Sequence, residues 1–221
     1  MKRLFSLIAM ILCISLLLSP LAFAAPAPPR AFTDIDGHWA EETIERFADA
    51  GIILGFPDGT FRPNQRITRA ELAAIVTRAF ELSEEVEFHF DDVSPNAWYY
   101  EYLRFAANVV PSDQFVGQAF FPNISAHRID TARTVIPFYI ERLGITIDMP
   151  TDEAIVEQVR AAFGDSDYRY SSNGASPLFR TTWLAHHLEI MVGRPSGNFR
   201  PYWGTTRAEM LTILERVLIE E

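Results

Sequence analysis

The chain has 221 residues, 48% hydrophobic, 22% charged and 13% aromatic, enough apolar content for a sizeable core and too much for a wholly disordered chain. Nineteen Lys and Arg face 29 Asp and Glu, a net charge of −10, and no basic block occurs anywhere. That balance argues against nucleic acid or an anionic membrane surface as partner; an anionic ligand must be held by local arginines against the overall field.

At the N-terminus Lys2 and Arg3 precede an apolar run over residues 4–18, followed by Ser19, Pro20 and the small-residue pattern Ala22-Phe23-Ala24. A charged start, a short apolar stretch and an A-x-A site predict a secretory signal peptide over 1–24, cut after Ala24. The alternative, a membrane anchor, is disfavoured because the run is short of the ~20 residues a spanning helix needs. Without Lys2 and Arg3 the remaining chain has 17 basic and 29 acidic residues, a charge of −12, and no other run long enough to cross a bilayer. The only cysteine, Cys13, lies in the leader, so the expected mature protein has no disulfide, thiol nucleophile or thiolate metal site. The proline-rich residues 25–31 read as a stiff linker.

The rest of the chain compares well with itself. Phe32-Thr33-Asp34-Ile35 opens a first unit. Trp39 starts a predicted amphipathic helix carrying Ile44, Phe47 and Ala48 and ended by Gly51. A turn at Pro57-Asp58-Gly59-Thr60 and the run Phe61-Arg62-Pro63-Asn64 lead to a second helix from Thr68, with Leu72, Ile75, Val76 and Ala79 on its apolar positions. Phe90-Asp91-Asp92-Val93 repeats the opening at a shift of 58, and Trp98, Phe120, Asn123 and Arg128 repeat Trp39, Phe61, Asn64 and Arg69 at a shift of 59. A third unit, opening at Phe163-Gly164-Asp165, matches at a shift of 138 through Gly193, Phe199-Arg200-Pro201 and Thr206-Arg207-Ala208-Glu209. A nearly constant shift over more than 30 positions marks duplication. Residues 151–163 predict an added helix with Ile155, Val159 and Ala162 on one face. Each unit alone is too small for a good core, so the three are expected to pack as one body.

Phe-x-Asp-Ile, then Trp, then Gly55-Phe56-Pro57-Asp58-Gly59-Thr60-Phe61-Arg62-Pro63-Asn64, then Ile67-Thr68-Arg69-Ala70-Glu71 closely resembles the S-layer homology repeat. The resemblance spans nearly everything after the leader as three copies, 32–84, 85–145 (degenerate) and 146–221 (with the extra helix). It implies a mainly α fold, three tandem helical repeats in a pseudo-threefold bundle, whose inter-repeat grooves bind secondary polymers of the bacterial cell wall. The usual ligand is an acidic glycan, often ending in a pyruvylated amino sugar. The implied location is the cell surface, and the implied partners are a peptidoglycan-linked wall polymer and other envelope or S-layer proteins. No cofactor is implied.

Thr68 with Glu71, and Thr206 with Glu209, have the spacing of a capping box, a helix-start role. In the second unit His127-Arg128-Ile129-Asp130 loses the capping hydroxyl but keeps an arginine and the acid Asp130. Arg69, Arg128 and Arg207 fall in first helical turns, where a positive charge opposes the helix dipole. Free amides and a guanidinium fork there suit a sugar carboxylate; the other reading is a salt bridge to a neighbouring unit, for instance to Asp34 or Asp92. Trp39 and Trp98 either stack on a sugar ring or plug the core, and the third unit has Pro177 in that place. Asp34, Asp92 and Asp165 either cap the turn after them or accept from sugar hydroxyls. Phe61, Phe120 and Phe199 read as core. Pro137 is expected to kink or shorten the second unit's long helix.

Nucleophile-elbow, H-E-x-x-H and phosphate-loop signatures are absent from the sequence, and none of His38, His89, His127, His186 and His187 has metal-ligand helical spacing. The expectation is a non-catalytic, metal-free surface module binding an anionic wall polysaccharide. The alternative is a degenerate scaffold for protein–protein contact or S-layer assembly.

Overall fold

In a computed structural model of the chain, which describes residues 32–111, 118–165 and 176–219, the secondary structure is helical. Seven helices occur among these residues: α1 Glu41–Asp49, α2 Arg69–Ala79, α3 Tyr100–Ala106, α4 Arg128–Leu143, α5 Asp152–Ala162, α6 Pro177–His187 and α7 Arg207–Leu218. The signal peptide and linker expected from the sequence lie outside the described residues.

Helix starts follow the local chemistry. In α2 the Thr68 hydroxyl accepts from Glu71 N at 3.2 Å, and the Glu71 carboxylate accepts from Thr68 N at 2.7 Å. Thr206 and Glu209 repeat this at α7, at 3.2 and 3.0 Å. At α4 one half survives: Asp130 accepts from His127 N at 3.3 Å. Helix α5 starts at Thr151, whose hydroxyl accepts from Ala154 N.

Three sequence expectations need correction. Of the two outcomes expected at Pro137, shortening does not occur: α4 runs 16 residues with the proline inside. Tertiary packing outweighs the missing amide, since Ile129, Ala132, Val135 and Ile136 are all buried. Trp39 does not start α1; it sits in the turn before Glu41. On α5, Ile155 and Val159 are buried but Ala162 is exposed, and Phe163 just beyond the helix takes the core position.

Residues Ala31–Glu221 form one compact unit, and its centre is a closed cycle of backbone bonds. Ile67 N donates to Thr205 O, Thr205 N to Ala126 O, and Ala126 N to Ile67 O, each at 2.9 Å. Three isolated bridges, Arg66 with Thr206, Thr68 with Ser125 and His127 with Gly204, flank it. The first amides of each long helix are drawn into the same cycle. Arg69 N and Ala70 N donate to Ile124 O and Pro122 O. Arg128 N and Ile129 N donate to Trp203 O and Pro201 O, and Arg207 N and Ala208 N to Gln65 O and Pro63 O. The orphan donors every helix start must place are thereby satisfied by the next unit's loop.

Those loops are shaped by three aspartates. Asp34 accepts from Phe61 N and Arg62 N, both at 2.7 Å; Asp92 accepts from Phe120 N and Phe121 N, both at 2.7 Å. Asp165 accepts from Phe199 N at 2.6 Å and Arg200 N at 2.8 Å. Arg62, Phe121 and Arg200 take left-handed backbone, φ 59°, 54° and 56°, which aims successive amides at one carboxylate. Phe61, Phe120 and Phe199 are thus driven inward and are fully buried.

Candidate functional site

The three helix-start arginines are structural struts before they are anything else. Arg69, Arg128 and Arg207 are 0%, 5% and 3% exposed. Each Nε donates to the carbonyl of a loop phenylalanine in another unit: Arg69 to Phe120 at 2.7 Å, Arg128 to Phe199 at 2.9 Å and Arg207 to Phe61 at 2.7 Å. Each guanidinium also lies over that phenylalanine's ring. The acids facing them are the capping residues of the next helix: Asp130 lies 4.0 Å from Arg69, Glu209 3.7 Å from Arg128 and Glu71 3.4 Å from Arg207. Asp34 and Asp92 instead accept backbone amides on both carboxylate oxygens, although the Asp34 charge still favours the charged Arg207 guanidinium.

The idea of free amides beside these guanidiniums is overturned. The first two amides of α2, α4 and α7 already donate to carbonyls of the adjoining loop. For Arg207 burial pulls the guanidinium below its ordinary pKa, and Glu71 opposes that shift. Arg207 Nη2 also donates to Leu54 O at 2.6 Å.

Two arginines of the trio nonetheless reach solvent-facing grooves, each beside one of the two predicted tryptophans. A groove of about 340 Å³ is lined by Trp98, Tyr102, Arg78, Glu71, Arg207 and the 53–56 loop. A second, of about 270 Å³, is lined by Trp39, Arg128, Arg194, Glu209, Arg216 and the 190–193 loop. Trp98 is 59% exposed and Trp39 65%, so neither is a core plug. Helix α2 brings Glu71 and Arg78 to the first groove; α7 brings Glu209 and Arg216, their equivalents at a shift of 138, to the second. The basic residues tie down the floor: Arg78 donates to Ile52 O at 2.9 Å and Tyr102 Oη at 3.0 Å, and Arg216 to Ile190 O at 3.1 Å. Glycine is needed at the rim, since a Cβ on Gly55 would stand 2.2 Å from the Phe32 ring and one on Gly193 2.7 Å from Phe163.

A third cavity, of about 600 Å³, has Arg133, Thr134, Pro137, Phe138 and Glu141 of α4 on its wall. It has no tryptophan among its lining residues, and Pro137 stands where the other grooves have Arg78 and Arg216. Arg69, fully buried, lines none of the three, and neither do Asp34, Asp92 and Asp165.

Sequence comparison of the units missed Arg78, Arg194, Arg216 and Tyr102. The signal was present for two of them, because Arg78 and Arg216 each follow the helix-start arginine by nine residues. Among the described residues, no group of three or more His, Cys, Asp or Glu is placed to hold a metal ion, and no helix is long and apolar enough to cross a membrane.

The chain is 36% identical over 116 residues to the "Surface-layer 125 kDa protein" of Lysinibacillus sphaericus, covering 51% of this chain and 10% of that protein. It is 29% identical over 199 residues to the "Amylopullulanase" of Thermoanaerobacterium thermosulfurigenes, covering 89% of this chain and 10% of the relative. It is 43% identical over 70 residues to the "Cellulosome-anchoring protein" of Acetivibrio thermocellus, covering 31% of this chain and 16% of the relative. The chain thus spans a tenth to a sixth of the length of these relatives. The family model of the S-layer homology domain matches residues 31–73, the stretch that holds Asp34, Trp39, the Phe61 loop and the start of α2. Over residues 31–73 the chain is therefore similar to the S-layer homology domain.

Proposed function

We propose that this protein is a non-catalytic module of the bacterial cell surface that attaches to the envelope by binding an anionic secondary wall polysaccharide. The observation that carries the reading is the twofold recurrence of one arrangement: an exposed tryptophan facing a groove with two or more arginines on its walls. An indole face covers the apolar face of a sugar ring, and the guanidiniums attract its acidic substituent, pyruvate ketal or other carboxylate. The relatives support the setting, since their names place one in a surface layer and assign another to anchoring a cellulosome. The relative named as an amylopullulanase overlaps this chain over only 10% of its own length.

In this reading Trp39, Trp98, Arg128 and Arg207 contact the polymer, joined by Arg78, Arg194 and Arg216. Arg69 and the three aspartates act by holding the units and loops in place. The three units, 32–84, 85–145 and 146–221, form a pseudo-threefold bundle with two complete grooves. The test is sedimentation of the protein with wall sacculi, native and stripped of their secondary polymer. Binding should fall on stripping and fall again in the Trp39→Ala/Trp98→Ala double variant. Undiminished binding to stripped sacculi would overturn the reading and favour a protein or peptidoglycan partner.

A further inference from the structure

One end of the bundle gathers three arginines, two of which, Arg66 and Arg200, serve neither the ion pairs of the fold nor the grooves beside Trp39 and Trp98. The guanidinium carbons of Arg200, Arg66 and Arg194 lie 4.0, 5.5 and 5.8 Å from the ring centroid of Trp203. Trp203 is 46% exposed, and Tyr202 beside it is exposed too. Arg66 comes from the first unit's loop, the others from the third's, so the trio exists only in the folded bundle. Arg194 donates to Glu209 at 2.7 Å, but neither Arg66 nor Arg200 has a carboxylate within ion-pair range among the described residues. The Arg66 stem lies against Gly204, where a Cβ would stand 2.5 Å from Arg66 Cδ, so a larger residue there would push the arginine stem aside.

Three like charges around one ring repel each other, and in a chain of net charge −10 carboxylates to relieve them are plentiful. One carboxylate among the described residues does so, which leaves the remaining positive charge facing solvent. The indole holds the guanidiniums by cation–π attraction, which leaves the N–H edges of Arg66 and Arg200 for a forked oxyanion, while Arg194 adds charge beside them with one edge on Glu209. We propose that Arg66, Arg194 and Arg200, fanned around Trp203, form a further oxyanion-binding site for a carboxylate or phosphate group. Because Arg194 also lines the Trp39 groove, the site continues that groove, and a polymer with repeated acidic groups would engage both at once. That extension rests on reading the groove as a saccharide site; the oxyanion site itself does not.

The test follows the tryptophan indole N–H signals by NMR while inorganic phosphate or citrate is added to the whole protein at a fixed ionic strength of about 0.1 M. The Trp203 signal, identified by its loss in Trp203→Phe, should shift saturably. The Arg66→Gln/Arg200→Gln double variant should weaken that response at least tenfold while its other indole signals stay in place, and Trp39→Ala should leave it unchanged. A stronger response to citrate would assign the site to carboxylates, and one to phosphate, to phosphate groups. A shift that does not saturate, or that persists in the double variant, would overturn the proposal. Saturable binding of small anions with no binding to native sacculi would keep the site and reject the anchoring role.

Discussion

Replacing Arg207 by alanine separates a strut from a ligand contact. The guanidinium donates to Phe61 O and Leu54 O and lies 3.4 Å from Glu71. Each carbonyl loses a charged donor, at about 1.5 kcal/mol apiece on the low side of the usual range. Glu71 keeps the Thr68 amide and some water, so its loss adds about 1 kcal/mol. The total, about 4 kcal/mol, falls within the 3–5 kcal/mol typical of breaking a buried ion pair from one side. For a body of this size it lowers the melting temperature by roughly 10 °C. Urea and thermal unfolding followed by circular dichroism would measure it. Arg180→Ala, which removes an exposed pair with Asp152, serves as the control and should shift stability by less than about 1 kcal/mol. Arg207→Lys keeps the charge but not the fork and should recover less than half of the loss. An Arg207→Ala protein as stable as the parent that no longer binds sacculi would refute this account and return Arg207 to ligand recognition alone.

Four further outcomes follow from the same geometry. Trp98→Ala should leave the unfolding midpoint within about 0.5 kcal/mol of the parent, because the ring is exposed, while weakening sacculus binding several-fold. Asp34→Asn replaces a carboxylate that serves two amides and should cost about 1–3 kcal/mol in urea denaturation. Thr68→Ala removes half of a capping box and should cost about 1 kcal/mol by the same assay. The Asp58 carboxyl, held down to about 2 by the Thr60 hydroxyl and then by Arg62, should titrate near there by carbon NMR. Its native pKa is depressed, so its contribution is present above the ordinary value of 3.8 and is lost as pH falls through about 2. Arg62→Ala should move that midpoint back toward 3.8.

Much of this protein could be read from residues alone, because the signals are local. Apolar spacing marked α1, α2 and α5, and a threonine with a glutamate three residues on located two helix starts through bonds that span a single turn. The constant shifts between units exposed the duplication without any coordinates. Where the reading went astray, the deciding interactions were long-range. Nothing near Arg69, Arg128 or Arg207 in the chain reveals that their guanidiniums reach carbonyls 51, 71 and 146 residues away. The helix-start amides looked free because their acceptors belong to other units. Pro137 looked disruptive because burial of the α4 face was not visible beside it.

The sequence by itself marked α1, α2 and α5, the turns and the threefold recurrence of Asp, Phe and Arg, since each depends on neighbours within a turn or two or on comparison of like segments. Only the tertiary structure decided which arginines are buried struts and which look into grooves beside Trp39 and Trp98. It also brought Arg66 to Trp203. Burial and charge proximity are properties of where separate units meet, and packing in three dimensions sets those meeting points.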